Sequence, residues 1–262
     1  MSLQVLIYLC LFACPLFVSP ALANETVHLA TGEWPPYMSK QFQFGGLGTR
    51  ICTEAFALAG FKAQYTYMPW KRVYESTRLG QFEASPGWRK TPEREHHFYF
   101  SDPLFTTQSV LFHLKGSHFE WKELKDLKDK TIGITLGYSY VSMLKPIIAE
   151  GKGKLDIAPT DEINIIKLLS GRIEIFPCSK AVGYYLLRSK TLPGSADTVT
   201  HHQLPIETGA VYLIVSKKIP NGREIIARFN KGLKELRDSG RYDQYQFESL
   251  RGDYIPKKCP GL

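Results

Sequence analysis

Along the chain, short runs of alternating or continuous apolar residues give way repeatedly to longer runs with apolar positions three and four apart. Val27 to Thr31 reads as a strand. Thr49 to Ala59 places Ile51, Ala55, Leu58 and Ala59 on one helical face, and Gly60 stops it. Ala63 to Met68 alternates as a strand, Lys71 to Leu79 has helical spacing, and Phe82 to Pro86 is another short strand. This β-α-β-α-β order predicts a parallel sheet with helices on both faces.

The alternation then restarts. A short helix is expected over Lys122 to Leu127, a strand over Thr131 to Thr135 and a helix over Tyr140 to Glu150. Asp161 is placed to N-cap a helix running to Ser170, with a strand at Ile173 to Phe176 and a helix at Lys180 to Arg188. Ala210 to Ser216 reads as a buried strand, and Gly222 to Ser239 as the longest amphipathic helix, stopped by Gly240. Two such units in series predict two similar α/β lobes, without a detectable sequence repeat.

The N-terminus changes the picture. Met1 to Ala23 carries no charged side chain, and Val5 to Val18 is almost purely apolar, followed by Pro20-Ala21-Leu22-Ala23. That is the layout of a removable secretory signal, too short to span a bilayer core of about 20 apolar residues. A lipoprotein signal cut before Cys14 is the rival reading. The formal net charge of +8 belongs wholly to the part after residue 23. Its Lys and Arg residues are scattered, without the basic stripe of a nucleic-acid module, so a solvated surface explains them. Of five cysteines, Cys52, Cys178 and Cys259 follow the signal; none has metal-ligand or CxxC spacing.

In open parallel sheets, ligands bind beyond the C-terminal strand ends. Three loops in such positions carry polar and aromatic groups: Gly32-Glu33-Trp34-Pro35-Pro36-Tyr37, Pro86-Gly87-Trp88-Arg89-Lys90-Thr91-Pro92-Glu93-Arg94, and Leu136-Gly137-Tyr138-Ser139-Tyr140. Their expected convergence on one cleft is the argument for a binding site.

An ordered set of motifs carries a resemblance. Pro35-Pro36-Tyr37 is followed by the Gly45-to-Gly48 stretch, Pro69-Trp70, and Thr91-Pro92-Glu93-Arg94 with Phe100-Ser101-Asp102-Pro103. After these come Leu124 to Lys130, Ile132-Gly133-Ile134 leading to Gly137, and Leu168 to Gly171-Arg172. In this order they resemble the bacterial family 3 extracellular solute-binding proteins, the periplasmic components of ABC importers for amino acids and related solutes.

The resemblance implies a two-lobed type II periplasmic binding protein fold, each lobe a mostly parallel sheet flanked by helices, with two hinge crossovers. It places the crossovers near Phe112-His113 and Glu207-Thr208-Gly209. Lobe one is then residues 24–112 plus 209–262, lobe two 113–208, and residues 1–23 the signal peptide. Cys52 and Cys259 would share a lobe, which makes them the expected disulfide. A monomer partnered by an inner-membrane ABC permease or a membrane sensor is implied, with no cofactor, metal or nucleic acid.

Site roles follow by position. Arg94 matches the family's carboxylate-gripping arginine, a task suited to a planar two-donor fork. Arg89 stands where the family has a small hydroxyl residue, and is either a second donor or solvent-facing. Gly87 would admit the solute to the backbone. Trp34, Tyr37, Trp70 and Trp88 are candidate aromatic walls. Tyr138 and Ser139 lie at a predicted helix start, where backbone N–H groups favour anions, although Ser139 equally suits simple capping. Ser179 stands where amino-acid binders of the family commonly place an acid for the solute's ammonium. Either Glu33 takes that role, or the solute has no α-ammonium. An enzyme on this fold, resembling the cyclohexadienyl dehydratases, is the alternative function, as is a solute-presenting sensor partner. A catalyst needs a positioned acid or base, and Glu33 is the only carboxylate the sequence places near the cleft.

Overall fold

The computed structural model of the protein describes residues 25–256; the expected signal segment and Cys259 lie outside them, and with Cys259 the anticipated bridge to Cys52. The first unit comprises β1 (Glu25–Thr31), α1 (Leu47–Leu58), β2 (Phe61–Tyr67), α2 (Trp70–Arg78) and β3 (Ala84–Trp88). β1 pairs in parallel with β2 along its whole length and with β3 at Leu29 and Ala84. This is the parallel arrangement the alternating pattern predicts.

The chain then runs through α3 (Pro92–His97), β4 (Phe98–Phe100) and the ten-residue β5 (Phe105–Leu114). A second unit follows: β6 (Thr131–Thr135), α4 (Tyr140–Ala149), β7 (Lys154–Ala158), α5 (Asp161–Leu169), β8 (Phe176–Ser179) and α6 (Lys180–Ser189). The short α7 (Ser195–Thr198) and β9 (Val199–His201) lead into β10 (Glu207–Ser216), and α8 (Gly222–Asp238) and α9 (Arg241–Arg251) end the described chain.

The strands form a curled sheet in the order β2-β1-β3-β10-β5-β8, with β4 also beside β10 and β9 beside β5; β6 and β7 make a separate parallel pair. β5 and β10 shape the curl. The first half of β10, Glu207 to Val211, runs antiparallel to Ser109–Phe105, and its second half, Tyr212 to Val215, runs antiparallel to β3. The two segments expected to be crossovers therefore lie within the end of β5 and the start of β10.

Local departures from the sequence reading have physical reasons. Lys154–Ala158 forms a strand beyond those expected; its burial follows no alternation, and Ile157 is exposed. The strand expected at Ile173 to Phe176 begins at Phe176 instead. Ile173 and Ile175 are fully buried, but their segment is held by Gly133 N–H donating to the Ile175 carbonyl and by the Glu174 carboxylate accepting from Thr131 N–H. Thr160, rather than Asp161, caps α5 by accepting from Ile163 N–H. Asp161 is buried in the first turn.

The main core packs α1 and α8 on the first sheet half. Phe56, Phe61 and Phe229 are buried, with the Phe56 and Phe229 rings 4.7 Å apart. Each such side chain contributes about 1.5–3 kcal/mol of transfer free energy. A second cluster, Leu127, Ile132, Ile134, Leu144 and Ile148, fills the space between α4 and β6. Among the described residues no helix is long and apolar enough to cross a membrane.

Candidate functional site

A cavity of about 60 Å³ lies where the three expected loops meet, lined by Trp34, Trp70, Gly87–Arg89, Arg94, Ser109, Gly137–Tyr140 and Val211. Each loop is built by its neighbours. After β1 the chain folds back on itself, Trp34 N–H donating to the Met38 carbonyl at 2.7 Å and Met38 N–H to the Trp34 carbonyl at 3.0 Å. Trp70 opens α2, and its indole N–H donates to the Glu33 carbonyl at 3.1 Å, tying the second loop to the first. Gly87 has a φ of 93°, the left-handed region that favours glycine, and a β-carbon there would sit 2.5 Å from the Met38 methyl.

Arg94 is held in place by its own helix. Thr91 caps α3 and accepts from the Arg94 backbone N–H, while Pro92 stands at the first helical position. The side chain then turns inward and is only 9% exposed. Its guanidinium donates to the Arg89 carbonyl at 3.1 Å and the Gly137 carbonyl at 3.4 Å, and lies 4.9 Å from the Trp88 ring centre. Burial pushes its pKa down, with Tyr74 and Glu93 opposing the shift. Among the described residues no carboxylate forms an ion pair with it. The adjacent Glu93 makes no ion pair with it and instead accepts from the Tyr74 hydroxyl.

Arg89 has a different fate. Its Nη2 donates to the Thr107 hydroxyl at 2.7 Å, and its Nε lies 2.9 Å from the Glu207 carboxylate, an ion pair rather than an aligned hydrogen bond. Arg89 thus touches β5 and β10 at once, instead of pointing to solvent.

The second unit contributes Gly137 to Tyr140. Gly137 adopts a φ of 91°, and Tyr138 N–H donates to the Thr135 carbonyl, which turns the chain into α4. Ser139 makes no side-chain cap of this helix, so the simple capping reading does not hold. The Tyr138 hydroxyl donates to Asp161 at 2.7 Å, and the Tyr140 hydroxyl to Ser109 at 2.6 Å. Burial raises the pKa of both phenols and of Asp161, which also accepts from Thr135.

Three expected residues do not line this cavity. Tyr37 lies behind Trp34, 4.7 Å between rings, and stacks on Phe105 at 4.9 Å with its phenol facing Ser179. Ser179 is buried opposite Ser109 in the β5–β8 pairing, and its hydroxyl has no hydrogen-bond partner among the described residues. Glu33 is exposed and lines a neighbouring cavity of about 490 Å³ with Tyr67, Asp161, Glu162 and Tyr185. Trp88 is mostly a floor beneath Arg94, 4% exposed and bonded to the Ser85 hydroxyl at 2.7 Å. Sequence reasoning missed Ser109 and Val211, which sit on the long strands β5 and β10. Tyr140 stands in one of the quoted loops but is not singled out there as a candidate. Cys52 and Cys178 are buried and not bonded to each other, and burial raises both pKa values.

The curled mixed sheet and the cavity at its strand ends define the type II periplasmic binding protein architecture. The chain belongs to the bacterial extracellular solute-binding proteins, family 3, whose family model matches residues 27–248. It is 27% identical over 221 residues to the arginine-binding extracellular protein ArtP of Bacillus subtilis (strain 168), covering 79% of this chain and 78% of ArtP. An ancestral arginine-binding protein bound to arginine superposes with a TM-score of 0.73 at 23% identity, covering 86% of this chain and 98% of that one. A histidine kinase sensor domain with similarity to periplasmic binding proteins gives 0.74 at 18% identity, covering 87% and 96%. At these identities the two structures establish the fold alone.

Proposed function

We propose that the protein captures a small carboxylate-bearing solute, an amino acid or related organic acid, and delivers it to an ABC-type permease without transforming it. The observation that carries this reading is Arg94: a buried guanidinium in a cavity wall with no carboxylate partner among the described residues. A buried charge left uncompensated is costly, and a bound carboxylate would relieve it with charge-assisted bonds. Trp34 and Trp70 provide an apolar wall for the rest of the solute. Arginine binding by ArtP is likewise capture of a carboxylate-bearing solute.

In this reading residues 24–112 plus 209–262 form one lobe and 113–208 the other, closing as a clamp about β5 and β10. The bond from Arg94 to Gly137 would then bridge the lobes. Capture without chemistry follows the family, whose members are solute-binding proteins. Secretion through cleavage after Ala23, a periplasmic location and a monomeric state complete the proposal. A thermal-shift screen over amino acids, organic acids and small aromatic carboxylates tests it, because a ligand that binds only the native form raises the midpoint. The expected result is at least one carboxylate whose effect disappears in Arg94→Ala. A shift that persists in that variant, or none across the panel, would count against the site.

A further inference from the structure

Resting on the reading of Arg94 as carboxylate anchor, we infer that the solute carries no ammonium beside its carboxylate: it is a 2-hydroxy, 2-oxo or unsubstituted monocarboxylic acid rather than an α-amino acid. The first support is the balance of charge. Two guanidiniums line the cavity, and Arg89 is already paired with Glu207 at 2.9 Å. Arg94 is the remaining charge, and one carboxylate neutralises it. An added ammonium would sit in the same small enclosure as an unmatched cation, which burial disfavours strongly.

The second support is how the neighbouring space is filled. Ser109 lines the cavity, and its hydroxyl accepts from Tyr140. Across the strand pair stands Ser179, buried and faced by the Tyr37 phenol. This corner is built from neutral hydroxyl groups. Apart from Glu207, which is taken up by Arg89, the buried acid among the described residues is Asp161, and both of its oxygens accept hydroxyl donors, one from Thr135 and the other from Tyr138. Asp161 faces the larger neighbouring cavity with Glu33 and Glu162, on the far side of Tyr138. Hydroxyl groups satisfy a hydroxyl or oxo group on the solute's second carbon. They satisfy an ammonium poorly.

The test is isothermal calorimetry on the purified protein with matched pairs, each proteinogenic amino acid beside the 2-hydroxy acid of the same side chain, lactate beside alanine and phenyllactate beside phenylalanine among them. Arg94→Ala serves as the site control. In the pairs that bind, the hydroxy acid is expected to bind at least tenfold tighter, with binding lost in Arg94→Ala. An amino acid binding as tightly as its hydroxy partner, and lost in Arg94→Ala, would overturn this inference and leave the carboxylate reading standing. Binding by no member of any pair, or binding indifferent to Arg94→Ala, would overturn both.

Discussion

Arg94 and Gly137 lie 43 residues apart, yet a guanidinium nitrogen of one donates to the carbonyl oxygen of the other at 3.4 Å. Replacing Arg94 with alanine would remove this bond, the bond to the Arg89 carbonyl and the proposed anchor together. Binding of any carboxylate solute should weaken by at least a hundredfold, about 3 kcal/mol or more, as expected for a buried charge-assisted contact. Folding stability should change little, because a buried cation without a carboxylate partner is a burden in the empty protein. Calorimetry on the variant, beside its urea denaturation midpoint, separates the two effects. A lysine at position 94 should recover only part of the affinity, since it cannot offer two parallel donors.

Arg89 supports a second expectation. It bonds Thr107 on β5 and pairs with Glu207 on β10, with side chains 13% and 33% exposed. Glu207→Gln leaves that guanidinium without its counter-charge and should destabilise the fold by about 1–2 kcal/mol, part of the pair's strength being screened by solvent. Arg89→Met together with Glu207→Gln should recover much of that loss, a non-additivity that a double-mutant cycle in urea measures. Additive losses would show that the two side chains do not interact.

How much of this was legible in the sequence depends on the kind of signal. The parallel unit of β1, β2 and β3 followed from the alternation of strand-like and helix-like runs, and the three loops from the rule that ligands bind beyond the C-terminal ends of parallel strands. Arg94 is singled out through the resemblance, and Thr91 and Pro92 supply the helix start that holds it. The fate of Arg89 was not readable: its partners Thr107 and Glu207 lie 18 and 118 positions away, on strands whose curl no local pattern encodes. Tyr37 and Ser179 are expected in the site itself, but neither lines the cavity. Only the packing of Trp34 over Tyr37 places them one layer behind it.

The contact between α1 and α8 offers a test of packing. A β-carbon added to Gly232 would lie 2.1 Å from the Ala55 carbonyl oxygen and 3.2 Å from the Ala59 nitrogen. Both are backbone atoms, so no side-chain rotation relieves the overlap. Helix propensity alone would favour alanine over glycine by about 1 kcal/mol. The steric cost should reverse that sign, and Gly232→Ala is expected to destabilise by about 1–3 kcal/mol. An unchanged or raised thermal midpoint would mean that α8 shifts freely on α1.

Stability should also fall on mild acidification because of His113. Its ring is buried, bonded through Nδ1 to the Leu114 carbonyl and the Ser117 hydroxyl, and 5.2 Å from the Phe119 ring. Burial sets its pKa below the 6.5 of a free imidazole; the Leu114 carbonyl bond opposes this, the nearby His202 adds to it, and Glu120 opposes it. The unfolded chain therefore binds more protons than the folded one between the depressed value and 6.5. By linkage, the contribution is fully present above about pH 6.5 and is lost as pH falls through the folded-state pKa. His201, shifted the same way by burial and then by Lys180, adds to the slope. Urea midpoints measured from pH 7.5 to 5 should decline, and His113→Gln should flatten that decline. An equal decline in the variant would assign the acid sensitivity to other groups.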